Sequence, residues 1–475
     1  MVNVESSRKG ERRLSLPAKD LMAAVAVTRF GLGARPGEIE AAKADPQGWL
    51  TAQVRRDGAD LPQSDGETAA LRFAWMRDFQ EQRRMERQRK DGETPQNGAA
   101  FMDAQRQLRE RVNGDFLARA QLGASTPAGF RERWVLFWAN HFTVSSTKQI
   151  TSVLIGPFER EAIRPHVFGR FEDLLVASST HPAMLTYLDQ AQSVGPGSMV
   201  VSRRRQGRGG LNENLAREIL ELHTVGVDAG YSQADVTEFA RALTGFSVGR
   251  DAEDRAGQFV FRVNTHEPGA RKILGKTYAE GGVDQGLAVL KTLAADQRTA
   301  RHVSRKLARH FVSDTPPPAL AARLEKRWMD TGGDLSAVAK ALIDSPEAWD
   351  PTPAKFKTPY EFTLSTWRLL GAQPSAYERI APVLTGLGQR PFYAPSPKGW
   401  PEEAGAWASP DGLIKRMQWT QGMAAAAADR TDPNALAVQA LGARLTPPVA
   451  KAVSRAETRR EAFALLVMSP EFQRR

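Results

Sequence analysis

Apolar residues recur at helical spacing in most segments of this chain, and this pattern limits its fold more than any other feature. Residues three and four positions apart share one face of an α-helix, so these segments are predicted as amphipathic helices. Only the stretch from Phe259 to Tyr278 alternates as a strand does, around the turn residues His266–Gly269. The sequence therefore predicts a mainly α fold, a large multi-helical globular protein with one small β-hairpin near residues 258–278.

The domain organisation follows from composition along the chain. The 475 residues include 41% hydrophobic and 25% charged residues, which is typical of globular proteins. Residues 1–20 are predicted as a disordered tail and residues 21–475 as a single large helical domain, either undivided or formed of two lobes that meet near residues 246–285. A long irregular segment rich in glycine, proline and aromatic residues is predicted near residues 386–407.

Several classes of site and location are excluded or disfavoured. The chain has no cysteine, which excludes disulfides, thiolate metal sites and a cysteine nucleophile. No apolar run is long enough to span a membrane, and the charged and polar start of the chain leads us to expect no conventional export signal. We therefore expect a cytoplasmic protein, with the periplasm as the alternative. The Thr28–Gly33 segment lacks the third glycine of a dinucleotide loop, and the sequence names no metal or cofactor.

The net charge of +11 makes polyanion binding a third-ranking hypothesis, behind enzymatic and non-catalytic functions. The basic residues are spread along the chain, with local runs at Arg83–Lys90 and in the glycine-rich loop 195–210. Neither run accompanies a recognisable nucleic-acid module, so nucleic-acid binding is not expected.

Two histidines stand in contexts that suit either structure or chemistry. His141 ends an aromatic stripe within residues 134–141, so it is either a buried core histidine or an imidazole at the wall of an aromatic pocket. His181 precedes Pro182 and is predicted as the N-cap of the next helix. It either caps that helix only or offers a neutral imidazole as base or ligand. Asp189 ends the same segment.

The segment Asn212–His223 is predicted as a two-faced helix, with Asn212 as N-cap and Gly226 as its stop. Its polar face carries carboxylates and one arginine, which form either a solvated surface with local ion pairs or the wall of a cleft. Ser232 and Asp235 predict a capping box for the helix that follows.

The irregular segment is the last candidate. Its prolines restrict the backbone, and long irregular segments in globular proteins are often functional. We expect Gly386–Trp407 to cover the cleft lined by Asn212–Glu221, with Arg390, Trp400 or both pointing into it. The alternative is a cap that only shields helices from water.

Several motifs occur in a fixed order along the chain. They are FWANHF at 137–142, HPAMLTYLD at 181–189, NENLAREILELHTVG at 212–226, DVTEFARALTGF at 235–246, HEPGARKILG at 266–275, and GQRPF with SPKGWP at 388–401. Together they resemble the large bacterial family known as domain of unknown function 1800, over most of the chain. The resemblance implies no activity. It implies a partner, since genes of this family often stand beside genes for relatives of alkaline phosphatases and sulfatases. Those neighbours frequently carry export signals, so a periplasmic location stays an alternative.

The leading hypothesis is an enzyme with one composite site in a helical cleft that acts on an anionic or polar substrate. Its predicted catalytic residues are His141, His181, Asp189, Glu213 and Glu218. Its predicted substrate-binding residues are Asn212, Asn214, Arg217, Arg390 and Trp400. The main alternative is a non-catalytic binding or assembly protein that works with the phosphatase- or sulfatase-like neighbour. The sequence leaves the metal content and the oligomeric state open.

Overall fold

The computed structural model describes residues 16–88, 98–202, 210–250, 254–427 and 432–475. Most of the predicted N-terminal tail and residues 203–209 of the basic loop lie outside this part of the chain. Within it, the fold is mainly α-helical, as predicted, and Lys19 and Asp20 already belong to the first helix.

The described residues form 23 α-helices. The first half of the chain contributes α1 (Lys19–Val25), α2 (Glu38–Ala42), α3 (Pro46–Thr51), α4 (Ala69–Gln88), α5 (Gly98–Ser125), α6 (Gly129–His141), α7 (Gln149–Phe158), α8 (Phe171–Thr180), α9 (Pro182–Tyr187), α10 (Met199–Ser202), α11 (Asn214–Glu218) and α12 (Gln233–Leu243). The second half contributes α13 (Val283–Ala294), α14 (Gln297–Phe311), α15 (Pro318–Thr331), α16 (Leu335–Asp344), α17 (Pro359–Leu369), α18 (Ala381–Gly386), α19 (Pro410–Ala427), α20 (Pro433–Leu441), α21 (Pro447–Ser454), α22 (Arg459–Met468) and α23 (Pro470–Gln473). Three π-helical turns, Ala26–Phe30, Glu159–Ile163 and Ile219–His223, directly follow α1, α7 and α11, respectively.

The predicted helix ends are largely confirmed by hydrogen bonds. His181 caps α9, because its Nδ1 accepts a hydrogen bond from the Ala183 amide at 3.1 Å. Ser232 and Asp235 form the capping box of α12. The prediction of Asn212 as N-cap is wrong: α11 begins at Asn214 with Glu213 as its N-cap, and Asn212 accepts a hydrogen bond from the Asn214 amide at 2.9 Å one residue earlier. At the other end, Gly226 adopts a φ of 90° after the π-helical turn Ile219–His223. Left-handed backbone of this kind suits glycine because it has no Cβ.

The predicted single hairpin is wrong in its pairing. Four strands form two separate antiparallel ribbons: β1 (Phe246–Val248) with β2 (Phe259–Phe261), and β3 (Arg271–Ile273) with β4 (Lys276–Tyr278). The alternation at Phe259–Phe261 was recognised, but its partner lies before it in the chain rather than after the turn. Alternation marks a strand and one buried face, and it does not specify which neighbour completes the ladder.

The hydrophobic core forms one large cluster from most helices, a second cluster from α17 and α19–α23, and a small third cluster around α1 and α2. Helix α6 runs through the large cluster, and its aromatic residues Trp134, Phe137 and Trp138 are almost fully buried. A helix buried on all sides must also bury its charges, and α6 does so in pairs. Glu132, for example, pairs with Arg164 at 2.7 Å. Helix α6 therefore delivers its C-terminal end, Asn140 and His141, to a fixed position.

The irregular segment after α18 lies over that end of α6. The Ser146 amide donates to the carbonyl of Phe392 at 2.8 Å, and the Ser145 hydroxyl donates to that of Ala394 at 2.7 Å. On the other side, Lys355 donates to the carbonyl of Glu402 at 2.7 Å. These bonds satisfy a backbone that, before the 3₁₀ turn Ala404–Ala406, forms no helix or sheet, so the segment is an ordered cover.

Candidate functional site

A cavity of about 300 Å³ lies between the end of α6, the middle of α14 and the irregular segment. Its walls combine apolar surface from Phe137, Trp400 and prolines with a few charged groups. The lining residues are Phe137, Asn140, His141, Lys306, Arg309, Pro395, Ser396, Lys398, Gly399, Trp400, Pro401, Glu402 and Glu403. Concave, partly apolar cavities with a few converging polar groups are the usual form of small-molecule sites.

Lys306 and His141 form the polar centre of this cavity. The Lys306 ammonium donates to Nδ1 of His141 at 2.9 Å. The opposite ring nitrogen, Nε2, lies 3.1 Å from the carbonyl oxygen of His223, which can only accept, so Nε2 carries the proton. His141 is thus held as a neutral ring whose free lone pair faces Lys306. Burial and the charge of Lys306 keep the pKa of His141 well below its usual value, which stabilises this form.

The pKa of Lys306 is lowered as well. Burial is the largest cause, and Lys398 and Arg309 add to it, while Glu402 acts in the opposite direction. Together they lower the pKa of Lys306 to about 8. No carboxylate of the described residues forms an ion pair with this partly buried lysine. A share of Lys306 is therefore a neutral amine near neutral pH.

Two further histidines surround the pair without lining the cavity. Burial, followed by the charge of Lys306, lowers the pKa of His223 to about 3 and that of His302 to about 4. His302 lies one turn before Lys306 on α14, and its Nε2 donates to the carbonyl of Leu222 at 3.3 Å. Both rings are neutral at physiological pH, so Lys306 supplies the only positive charge of this cluster.

Asn140 fixes the aromatic wall. Its side-chain amide donates to the carbonyl of Trp400 at 3.0 Å, and its side-chain oxygen accepts from the Trp400 amide at 2.8 Å. This two-bonded contact imitates a β-bridge and holds the backbone of Trp400 in register with α6. The preceding Gly399 has a φ of 85° and passes so close to Asn140 that a Cβ would lie 2.6 Å from its carbonyl oxygen.

The rim of the cavity carries an excess of positive charge. Lys306, Arg309 and Lys398 face Glu402 and Glu403. Glu402 is occupied by His310, whose Nδ1 donates to it at 2.7 Å, whereas Arg309 and Glu403 form a partly exposed pair at 3.5 Å. Burial alone would raise the pKa of Glu402, but His310, Lys355 and Lys306 outweigh it and lower the pKa to about 2. Glu402 therefore stays ionised and hydrogen-bonded to His310. Lys306 and Lys398 remain available to bind a ligand.

Arg390 lies at an adjoining cavity. Two smaller spaces of about 70 Å³ each share Asn140 and Trp400 with the main cavity. Arg390 lines one of them and stacks on the ring of Tyr393 at 4.5 Å. Of the predicted substrate-binding residues, Trp400 thus lines the main cavity together with His141, whereas Arg390 lines the adjoining cavity.

The residues predicted on the Asn212–Glu221 face lie elsewhere. Glu213 and Arg217 pair at 2.9 Å and bind Gln233 and Thr237 of α12, on a partly exposed surface. None of the residues Asn212–Glu221 lines the cavities described above. The contact between this part of the chain and His141 is made by the carbonyl oxygen of His223, at the end of the π-helical turn that continues α11. The irregular segment consequently covers α6 and α14 at this cavity, and not the polar face of α11.

The remaining residues of the predicted composite site are also dispersed. Asp189 pairs with Lys148 at 2.7 Å, and the Asn212 amide group donates to the carbonyl of Leu188 at 3.1 Å. Asn214 is exposed, whereas Glu218 is partly buried. Burial and the neighbouring Glu221 raise the pKa of Glu218.

His181 lines a separate cavity of about 410 Å³ together with Glu161 and Phe259. Its Nδ1 accepts from the Ala183 amide, and its Nε2 lies 3.1 Å from Glu161. Both ring nitrogens are therefore occupied. The structure thus places His141 and Trp400 at one cavity and Arg390 at the adjoining one, and the other predicted residues line neither of these two cavities.

The sequence analysis did not predict five of the residues that line the cavity: Asn140, Lys306, Arg309, Lys398 and Glu402. A signal existed for Lys306, which lies three residues after the buried Val303 and thus at the edge of the apolar face of α14. Cationic side chains on a helix usually form a solvated surface, so the charge of Lys306 alone did not indicate a site. Lys398 and Glu402 lie within the predicted irregular segment Gly386–Trp407, but no sequence pattern distinguishes them from the residues around them.

Comparisons with known proteins bear on the family. The family described as "Protein of unknown function (DUF1800)" matches residues 25–474, nearly the whole chain. The chain belongs to this family. No curated protein and no solved structure gives a match to it. Among the described helices of this family member, none is both long and apolar enough to cross a lipid bilayer. No three histidine or carboxylate residues of the described ranges are grouped in a way that could hold a metal ion.

Proposed function

We propose that this protein is an enzyme that binds a small anionic molecule in the cavity beneath Trp400 and transfers a proton to or from it through Lys306 and His141. One observation carries the proposal: at the cavity wall, Lys306 donates to the free lone pair of a neutral histidine, and no carboxylate within the described ranges is ion-paired with it. Such a lysine switches between acid and base at little cost, which is what general acid–base catalysis needs.

The charges around the cavity support an anionic ligand. Three cationic side chains line it, and one of its two carboxylates is bound to His310. A ligand carboxylate or phosphate between Lys398 and Arg309 would replace the exposed Glu403 contact and gain charge-assisted hydrogen bonds. Its reacting end would then point toward Lys306, which lies deeper, on the same helix as Arg309.

Hydrogen exchange tests this proposal without knowledge of the natural substrate. Pyruvate, a small carboxylate with weakly acidic methyl hydrogens, would be incubated with the protein in D₂O and followed by NMR. We expect saturable deuterium incorporation that falls by about two orders of magnitude in Lys306→Met, the usual contribution of one acid–base group. Pyruvate should also raise the melting temperature of the wild type, because it binds only the folded state.

The matched control is a double substitution of equal charge change. Lys398→Gln with Arg309→Gln should abolish the thermal stabilisation by pyruvate, whereas Lys340→Gln with Arg327→Gln, at exposed positions outside the cavity, should preserve it. Stabilisation without exchange would favour the non-catalytic binding alternative. Equal behaviour of both double variants would contradict an anion site at this cavity.

A further inference from the structure

We infer that the ligand is a carbonyl compound and that Lys306 binds it covalently, as an imine, in the manner expected for a small oxo acid. This inference rests on the proposed function, because it names the substrate class of the same cavity. An imine-forming lysine needs a neutral amine, a nearby proton acceptor and room for the carbonyl carbon. The cavity offers all three.

The first requirement is met by the surroundings of Lys306. With a pKa lowered to about 8, on the order of one Lys306 amine in ten is neutral at pH 7, against one in a few thousand for an unperturbed lysine. Lys398 and Arg309 contribute to this shift and line the same cavity, so the groups that activate the amine also attract the carboxylate of an oxo acid.

The second requirement is met by His141. Its Nδ1 lies 2.9 Å from the lysine nitrogen, and its other nitrogen is committed to the His223 carbonyl. The ring therefore presents a lone pair to Lys306 in every turnover. Because burial and Lys306 disfavour the charged form of His141, a proton taken by the ring is readily given up again.

The chemistry balances with water as the only by-product. The neutral Lys306 nitrogen attacks the carbonyl carbon, a C–N bond forms, and the carbonyl electron pair moves to oxygen. His141 accepts the proton released by nitrogen and returns it to that oxygen, which gives a carbinolamine. A second nitrogen proton takes the same route as the C–O bond breaks, so that one water molecule leaves and the imine remains. No oxidant or reductant is required.

The third requirement is space beside the amine. The cavity of about 300 Å³ accommodates a molecule of several carbon atoms, and its apolar walls limit the water that would hydrolyse an imine. Trp400, fixed by Asn140, forms the wall next to Lys306 and His141.

Borohydride trapping tests the imine directly. The full-length protein would be incubated with pyruvate, reduced with sodium borohydride, digested and analysed by mass spectrometry for the stable secondary amine. We expect the adduct on Lys306 in roughly tenfold or greater excess over any exposed lysine, reflecting its larger neutral fraction. Acetone, a neutral carbonyl compound, should label Lys306 less efficiently because it lacks the carboxylate.

Three variants complete the test. Lys306→Met should abolish the specific adduct, Lys340→Met should leave it unchanged, and His141→Gln should slow its formation while the site of labelling stays Lys306. Labelling spread evenly over the lysines would overturn the imine. If pyruvate still stabilises the fold and exchanges its hydrogens without a trapped adduct, the imine fails and the proposed function stands. If pyruvate neither stabilises nor labels the protein, both fail.

Discussion

Lys306 should show its altered acidity in a chemical measurement on the intact protein. Only the neutral amine reacts with an acylating reagent, so the modified fraction of each lysine follows its deprotonation. Under competitive labelling with acetic anhydride, we expect a midpoint near pH 8 for Lys306. The exposed Lys340 serves as the internal reference for the reactivity of the reagent. Coincident profiles for the two lysines would contradict the altered pKa.

At the scale of single residues, sequence patterns located one half of the cavity. His141 was found because an aromatic stripe at helical spacing ends in it, and Trp400 because an irregular aromatic segment is unusual in a helical chain. Lys306 could not be ranked, since the pattern of a charged helix does not say which cation lies at the boundary of the apolar face. Its chemistry comes from a histidine 165 positions earlier in the chain.

Among the elements, the irregular segment owes its position over α6 to the close approach of Gly399. At Gly399, φ is 85° and a Cβ would lie 2.6 Å from the Asn140 carbonyl oxygen, so Gly399→Ala should displace the segment and break the Asn140–Trp400 contact. We expect a loss of about 1–3 kcal/mol in the free energy of unfolding, measured by urea denaturation, and weaker pyruvate binding.

The matched control is Gly405→Ala in the same segment, where a new Cβ meets nothing within 4 Å. Its free energy of unfolding should stay within about 0.5 kcal/mol of the wild type. Equal stability of the two variants would show that the close approach at Gly399 does not hold the segment in place.

Helices were more predictable than strand pairing because their signals are local. A capping residue and the spacing of apolar side chains lie within one short window, as at Ser232 and Asp235. The partner of Phe259–Phe261 is the short strand Phe246–Val248, which follows Gly245 and carries little alternation of its own. The course of the segment over α6 depends on contacts across about 250 residues, which no local pattern encodes.

On the scale of the whole molecule, a buried ionic network joins distant parts of the chain behind the cavity. Glu361 of α17 contacts Arg133 of α6 and lies 3.0 Å from Nε of Arg475, and all three side chains are at most 8% exposed. Arg475 donates to the carbonyl of His310, the residue that holds Glu402 at 2.7 Å. The composite site could not be assembled from sequence because such contacts decide which helix faces meet.

Glu361→Gln should therefore destabilise the protein strongly at neutral pH. The substitution keeps the size of the side chain but leaves Arg133 and Arg475 without their shared carboxylate, and unpaired buried charges cost about 3–5 kcal/mol. The control is Asp330→Asn, which breaks the exposed Lys326–Asp330 pair and should cost less than about 1 kcal/mol. Urea denaturation measures both.

The pH dependence of the same variant tests the cause. Burial alone would raise the pKa of Glu361, but Arg475 and Arg133 outweigh it and hold the pKa well below the usual 4.5. Between these two values the unfolded chain binds a proton that the folded protein does not, so this carboxylate contributes its full stabilisation above about pH 4.5 and loses it as the pH falls further. Glutamine cannot titrate, so the difference in free energy of unfolding between wild type and Glu361→Gln should shrink progressively below that pH. A difference that stays constant down to the acid unfolding of the wild type would mean that packing, and not the ion pairs of Glu361, sets its contribution.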